Sequence, residues 1–94
     1  MSTTTHRLIT VAPDVKLHAV LTTPTSAPPQ NTPTLIFLHF WGGSSRTWDK
    51  TVSHLSSSFP TVAFDARGWA QSTGPLKPDA YSIAALAGDV RRAM

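Results

Sequence analysis

Cysteine is absent from the 94 residues, which excludes a disulfide framework and any thiolate metal site. Glutamate is absent as well, so the 5 acidic side chains are all aspartates. This shortage, rather than an excess of base, sets the formal charge of +3 and the isoelectric point near 10.0. The 8 lysines and arginines are scattered from Arg7 to Arg92, and only Arg91 and Arg92 are adjacent. A surface that reads phosphates needs a basic cluster or stripe, so nucleic acid is not expected as a partner. No apolar run approaches the roughly 20 residues that span a bilayer, so no membrane partner is expected either. The opening Met1-Ser-Thr-Thr-Thr-His-Arg lacks the apolar stretch of a signal peptide, which leads to the expectation of a cytoplasmic protein.

What is present is 40% hydrophobic residues, too many for a chain disordered by composition. The length allows one small domain with a modest core. Residues 7–11 and 16–22 are rich in β-formers and flank Ala12-Pro13-Asp14-Val15, a turn signal, which predicts an antiparallel hairpin. In the second run Leu17, Ala19 and Leu21 alternate with Lys16, His18, Val20 and Thr22, the period of a half-exposed strand. Pro24, Pro28, Pro29 and Pro33 mark a surface connection. Residues 34–39 then form an apolar run without alternation, which predicts a strand buried on both faces. Trp48, Val52 and Leu55 lie on one helical stripe, with Ser45 or Thr47 as the expected cap. Residues 61–65 predict a second buried strand, and Arg67 to Pro78 a loop. A last helix is expected after Ser82, with Ile83, Leu86, Val90 and Met94 as its apolar stripe. Strands alternating with helices imply parallel pairing and an α/β fold.

Two segments carry candidate chemistry. His39-Phe40-Trp41-Gly42-Gly43 breaks a buried strand into a loop at the sheet's carboxyl edge, where open α/β sheets bind ligands. A glycine-rich turn there can aim backbone N–H groups at a developing oxyanion; the alternative is an ordinary strand-ending turn. Asp65-Ala66-Arg67-Gly68-Trp69-Ala70-Gln71-Ser72 follows the other buried strand. Asp65 and Arg67 can pair with each other or fix loop backbone, and that structural reading outweighs a metal or general-base role for Asp65.

Together these segments resemble the α/β-hydrolase family. His39 with the following Gly42-Gly43 looks like its His-Gly-x-x loop. Asp65-x-Arg67-Gly68-x-Ala70-x-Ser72 looks like its Asp-x-Arg-Gly-x-Gly-x-Ser segment. Tyr81-Ser82 leading to Asp89-Val90 resembles the helix before its nucleophile strand. The resemblance implies the N-terminal portion of a hydrolase sheet: antiparallel hairpin, then strand-helix-strand-helix, an incomplete three-layer sandwich in one partial domain spanning 1–94. It implies an oxyanion-hole loop at Phe40 and Trp41, with the Trp41 N–H as donor. It implies structural roles for His39, Gly42, Gly43, Asp65, Arg67, Gly68 and Ser72. Phe40 and Ala70 stand where the family usually has glycine.

The family's triad runs Ser, acid, His, with the serine in a Gly-x-Ser-x-Gly elbow between a strand and a helix. No such string occurs in these residues. The near match, Ala70-Gln71-Ser72-Thr73-Gly74, has left its strand and is followed by Pro75 and Pro78, so Ser72 is not expected to attack anything. His6 and His18 in the hairpin and His54 on the first helix are expected to be solvated or hydrogen-bonded. No Ser–His–Asp grouping and no metal-ligand spacing is expected, and no cofactor. The resulting expectation is the N-terminal part of a hydrolase acting, when complete, on a small-molecule ester or a related carbonyl or epoxide-like bond, and inactive alone. In that family's sheet the strand at 34–39 has a neighbour on each side, so here it is expected to keep an open edge. The alternative is a non-catalytic module that binds a partner chain, or itself, through that edge.

Overall fold

The computed structural model describes residues 2–39, 43–75 and 78–94. Strand β1 (Ser2–Ala12) and strand β2 (Val15–Pro24) form the hairpin, turning at Pro13-Asp14. Both run further than the β-rich cores at 7–11 and 16–22, because the pairing continues out to Ser2 opposite Pro24. A register shift between Thr10 and Ala12 marks a bulge next to the turn. Strand β3 (Leu35–Leu38) leads through a 3-10 turn (Ser45–Trp48) into helix α1 (Asp49–Leu55). Strand β4 (Thr61–Phe64) is followed by the loop that holds Arg67 and Gly68, a second 3-10 turn (Pro78–Tyr81) and helix α2 (Ile83–Ala93).

The four strands form one mixed sheet in the order β1-β2-β4-β3. β2 runs antiparallel to β4, with Ala19 opposite Phe64 and Thr22 opposite Thr61. β3 runs parallel to β4, from Leu35 opposite Thr61 to Leu38 opposite Phe64. The parallel pair joined through a helix is the predicted unit, with the hairpin added on the far side of β4.

Alternation along β2 separates two faces. On one, Val15, Leu17 and Ala19 join Val11 and Phe64 in the core, and Val90 and Ala93 of α2 pack against them. Leu17 and Phe64 are 1% and 2% exposed, and burial of each stabilises by roughly 1.5–3 kcal/mol. On the other face Val20, Thr22 and Ala63 share a cleft with Val52, Ser53 and Ser56 at α1. Helices therefore cover both faces, an open α/β sheet of the α/β-hydrolase kind. β2 is consequently not the half-exposed strand that its alternation predicts: Thr22, on the face expected to be solvated, is 4% exposed beneath α1.

β3 stands at the edge of the sheet, as expected of the strand at 34–39, but it is not buried on both faces as its apolar run predicts. Ile36 and Leu38 are 39% and 52% exposed, because β3 ends the sheet and α2 packs toward β1 and β2 instead. The last helix follows suit. Val90 reaches the core and Leu86 lines an apolar cavity of about 240 Å³ with Leu17, Leu38 and Phe64, but Ile83 is 86% and Met94 65% exposed. Ahead of the first helix the capping side chain is Ser44, not Ser45 or Thr47, and it caps the 3-10 turn that leads into α1: its Oγ accepts the Arg46 N–H at 3.2 Å while its own N–H donates to Thr47 Oγ1 at 3.1 Å. Ser82 caps α2 as predicted, accepting from the Ala85 N–H at 3.1 Å. Among the described residues no helix is long and apolar enough to cross a membrane.

Candidate functional site

The carboxyl ends of β3 and β4 lie side by side because the two strands are parallel and in register, which brings His39 beside Asp65 and Ala66. His39 Nε2 accepts the Ala66 N–H at 3.0 Å, and its ring centroid lies 6.5 Å from that of Trp69. Phe40, Trp41 and Gly42 lie outside the described residues. Beyond them the chain returns at Gly43, and the Ser45 N–H donates to Asp65 Oδ1 at 2.6 Å. Both shoulders of the glycine-rich loop are thus tied to consecutive residues at the end of β4.

Asp65 is 1% exposed and accepts hydrogen bonds from three residues. Besides Ser45, its Oδ2 accepts from His18 Nδ1 at 2.7 Å and from the Gln71 N–H at 3.3 Å. Burial pushes its acidity constant up, but the bonds from the Ser45 backbone, His18, the Ser45 side chain and the Gln71 backbone outweigh it and hold the carboxyl below the ordinary aspartate value. The site's central acid is an ionised, hydrogen-bond-saturated anchor.

Asp65 and Arg67 do not pair with each other. Past the end of β4, Asp65 is held by Ser45, His18 and Gln71, and Arg67 turns to α2 instead. Its Nε and Nη2 donate to Asp89 Oδ2 and Oδ1, both at 2.6 Å, and its Nη1 donates to the Ala80 carbonyl at 2.8 Å. Arg67 and Asp89 are 9% and 1% exposed. The hydrogen bonds to Asp89 raise the guanidinium's already high value further, against the opposing effect of burial.

The loop after β4 folds back onto β2. Thr73 N–H donates to the Lys16 carbonyl at 2.9 Å, and the Lys16 N–H donates to Thr73 Oγ1 at 3.0 Å. Ser72, 7% exposed, is built into this seam: its hydroxyl accepts the His18 N–H at 2.8 Å and donates to the Asp65 carbonyl at 2.6 Å. The return needs left-handed backbone at Gly68 (φ 70°) and Ala70 (φ 46°). A Cβ on Gly68 would run into the Tyr81 hydroxyl, which donates to the Pro75 carbonyl at 2.6 Å.

A serine, a histidine and an aspartate therefore do converge, contrary to the reading from sequence spacing. Their wiring is not that of a triad. Ser72 meets the main chain of His18 and of Asp65, while the imidazole of His18 pairs with the Asp65 carboxylate. His6, expected to be solvated or hydrogen-bonded, is hydrogen-bonded, but its partner was not foreseen: its Nδ1 lies 2.9 Å from His18 Nε2. The one available signal was that a two-residue turn at 13–14 sets His6 and His18 near each other across the hairpin. His54 is exposed at the end of α1 and takes no part.

The chain belongs to the α/β-hydrolase fold family, whose model matches residues 33–94. Among curated proteins it is similar to epoxide hydrolase 3 of Mus musculus, 32% identical over 77 residues, which is 82% of this chain and 20% of that protein. Among solved structures it is similar to a laboratory-evolved variant of potato epoxide hydrolase, with a TM-score of 0.80 and 27% identity over 96% of this chain and 27% of that one. An epoxide hydrolase from an endophytic Streptomyces shares the fold, with a TM-score of 0.76 and 24% identity over 95% of this chain and 25% of that one. The chain spans about a fifth to a quarter of the length of these relatives.

Proposed function

We propose that residues 1–94 are one partial domain: the front part of a hydrolase site that presents backbone amides of Phe40 and Trp41 to an oxyanion, in a longer protein that opens epoxides or hydrolyses a related small-molecule bond. The observation that carries this reading is the double anchorage of the glycine-rich loop, by His39 to Ala66 and by Ser45 to Asp65. Fixed donors stabilise developing charge because they need no reorganisation during the reaction, and a loop pinned at both shoulders meets that requirement. His39, Gly42, Gly43, Asp65, Arg67, Gly68 and Ser72 hold the frame and touch no substrate. The choice of epoxide over ester rests on the relatives, which are epoxide hydrolases.

These residues on their own turn over nothing, because the only serine at the sheet's carboxyl edge with an elbow-like context has its hydroxyl committed to main chain. The purified chain, assayed with a nitrophenyl ester and an aryl epoxide, is expected to match its Ser72→Ala variant. Ser72-dependent turnover, or labelling of Ser72 by a fluorophosphonate probe, would overturn this. Expressed together with its downstream coding sequence, the chain should hydrolyse an epoxide. Trp41→Pro, which removes the donor N–H, should then lower kcat by about 10²–10³ while KM barely moves.

A second reading has its own observation. Among the described residues no strand pairs with the outer edge of β3, and Leu38 is 52% exposed, so the chain by itself can add a strand from another copy. Sedimentation of the isolated chain should reveal dimers or larger species; a sharp, reversible, monomeric melt would refute self-association.

A further inference from the structure

His6 takes no part in the hydrolase reading and His18 enters it only by donating to Asp65, yet the hairpin sets the two face to face. His6 stands opposite Val20 and His18 opposite Leu8, so the two are diagonal neighbours on one face of the sheet. His6 Nδ1 and His18 Nε2 are 2.9 Å apart, with ring centroids 5.1 Å apart and planes within 18°. A nitrogen separation so much shorter than the centroid separation means that the rings meet edge to edge, with the two nitrogens between them. Behind His18, Asp65 Oδ2 lies 2.7 Å from Nδ1. A carboxylate only accepts, so Nδ1 carries a proton, and in the neutral ring the Nε2 lone pair then faces His6.

We propose that His6 and His18 form a binding site for a divalent late transition-metal ion, with the Asp65 carboxylate orienting His18 from behind. Imidazole nitrogen suits Ni²⁺, Cu²⁺ and Zn²⁺, and metal-bound histidines characteristically give their second N–H to a carboxylate, which fixes the tautomer and strengthens the donor. With bonds of roughly 2.0–2.1 Å, two nitrogens on one ion sit about 2.9 Å apart at a right angle and about 3.3 Å apart at the tetrahedral angle. The nitrogens here already stand at the first of these distances. The proton now shared between the rings moves to His6 Nε2, the ion takes its place, and the exposed His6 ring swings so that its lone pair meets the ion. His18 does not move. Among the described residues no third histidine or carboxylate completes the set. The remaining positions go to water, for which the adjoining cavity of about 500 Å³, lined also by Thr4, Asp49 and Gln71, has room. By the usual order of affinities Cu²⁺ binds tighter than Ni²⁺ or Zn²⁺.

The test uses the untagged chain. NiCl2 is titrated by calorimetry, and ZnCl2 is titrated while imidazole nitrogens are followed by NMR. Before metal, His18 should show the Nδ1–H tautomer. One ion should bind per chain, and Zn²⁺ should shift the rings of His6 and His18 together while leaving His39 and His54 in place. His6→Ala, at an exposed position, and His18→Ala should each weaken Ni²⁺ binding by at least about tenfold, the loss that removing even a supporting partner causes. His54→Ala should leave it unchanged. Absence of binding at millimolar NiCl2, affinity unaltered in His6→Ala, or shifts at His39 or His54 instead would each overturn the site.

Discussion

Replacing Asp89 by asparagine should cost the isolated chain most of its stability. Asp89 sits on α2 and receives both arms of the Arg67 guanidinium at 2.6 Å, with only 2% of its side chain and 10% of that of Arg67 exposed. Arg92 approaches the same carboxylate at 3.4 Å but is half exposed and contributes little. Asparagine keeps the shape of Asp89 and leaves Arg67 as a buried cation without a counter-charge. Removing one partner of a buried pair costs about 3–5 kcal/mol, mostly the penalty of the stranded charge. Domains have about 5–15 kcal/mol in total, and one this small stands at the lower end. The loss therefore consumes most of the stability and detaches α2 from the end of β4. Urea unfolding followed by far-ultraviolet circular dichroism measures it. The double replacement Arg67→Met with Asp89→Leu removes both charges and should recover most of the loss, since apolar pairs of similar volume often match buried ion pairs. An Asp89→Asn chain within about 1 kcal/mol of the parent, or a double variant as unstable as the sum of its singles, would refute this account.

The backbone of the loop after β4 makes opposite demands at two small residues. Ala70→Gly should stabilise by about 1 kcal/mol, because alanine there occupies left-handed backbone at φ 46°. Gly68→Ala should destabilise by more than that, since it adds a collision with Tyr81 to the same strain; thermal melts of both variants decide it. Ser72→Ala should cost about 1–3 kcal/mol of stability by leaving the His18 N–H and the Asp65 carbonyl without their partner, with no change in any esterase background. Asp65 should make stability acid-sensitive. Its folded-state value is depressed, so the unfolded chain binds the proton first, and stability present above about pH 4 is lost as pH falls through the folded value. Asp65→Asn should flatten that part of the pH profile, and an unchanged profile would count against the anchor.

Much of the architecture was legible in the residues. Alternation at Leu17, Ala19 and Leu21 identified the core face of β2, the uninterrupted run at 61–64 a covered strand, and Ser82 the start of α2. The family resemblance rested on His39, on Asp65 to Ser72 and on Tyr81 to Val90, which the fold places around the carboxyl ends of β3 and β4. These features are local or periodic, so one chain carries them in full.

Partnerships were not legible, because they depend on which elements become neighbours. The residues left Asp65 and Arg67 either to pair with each other or to fix loop backbone, and they do the second. The fold also gives Asp65 to His18, 47 positions away, and Arg67 to Asp89, 22 away. The same applies to exposure. Ile36 and Leu38 are as apolar as any core residue; the open edge at 34–39 was implied by the family resemblance, not by their composition, and the sheet order β1-β2-β4-β3 places them there. Composition and periodicity decide what a segment wants to bury; the packing of α1 and α2 on opposite faces of the sheet decides what is there to cover it.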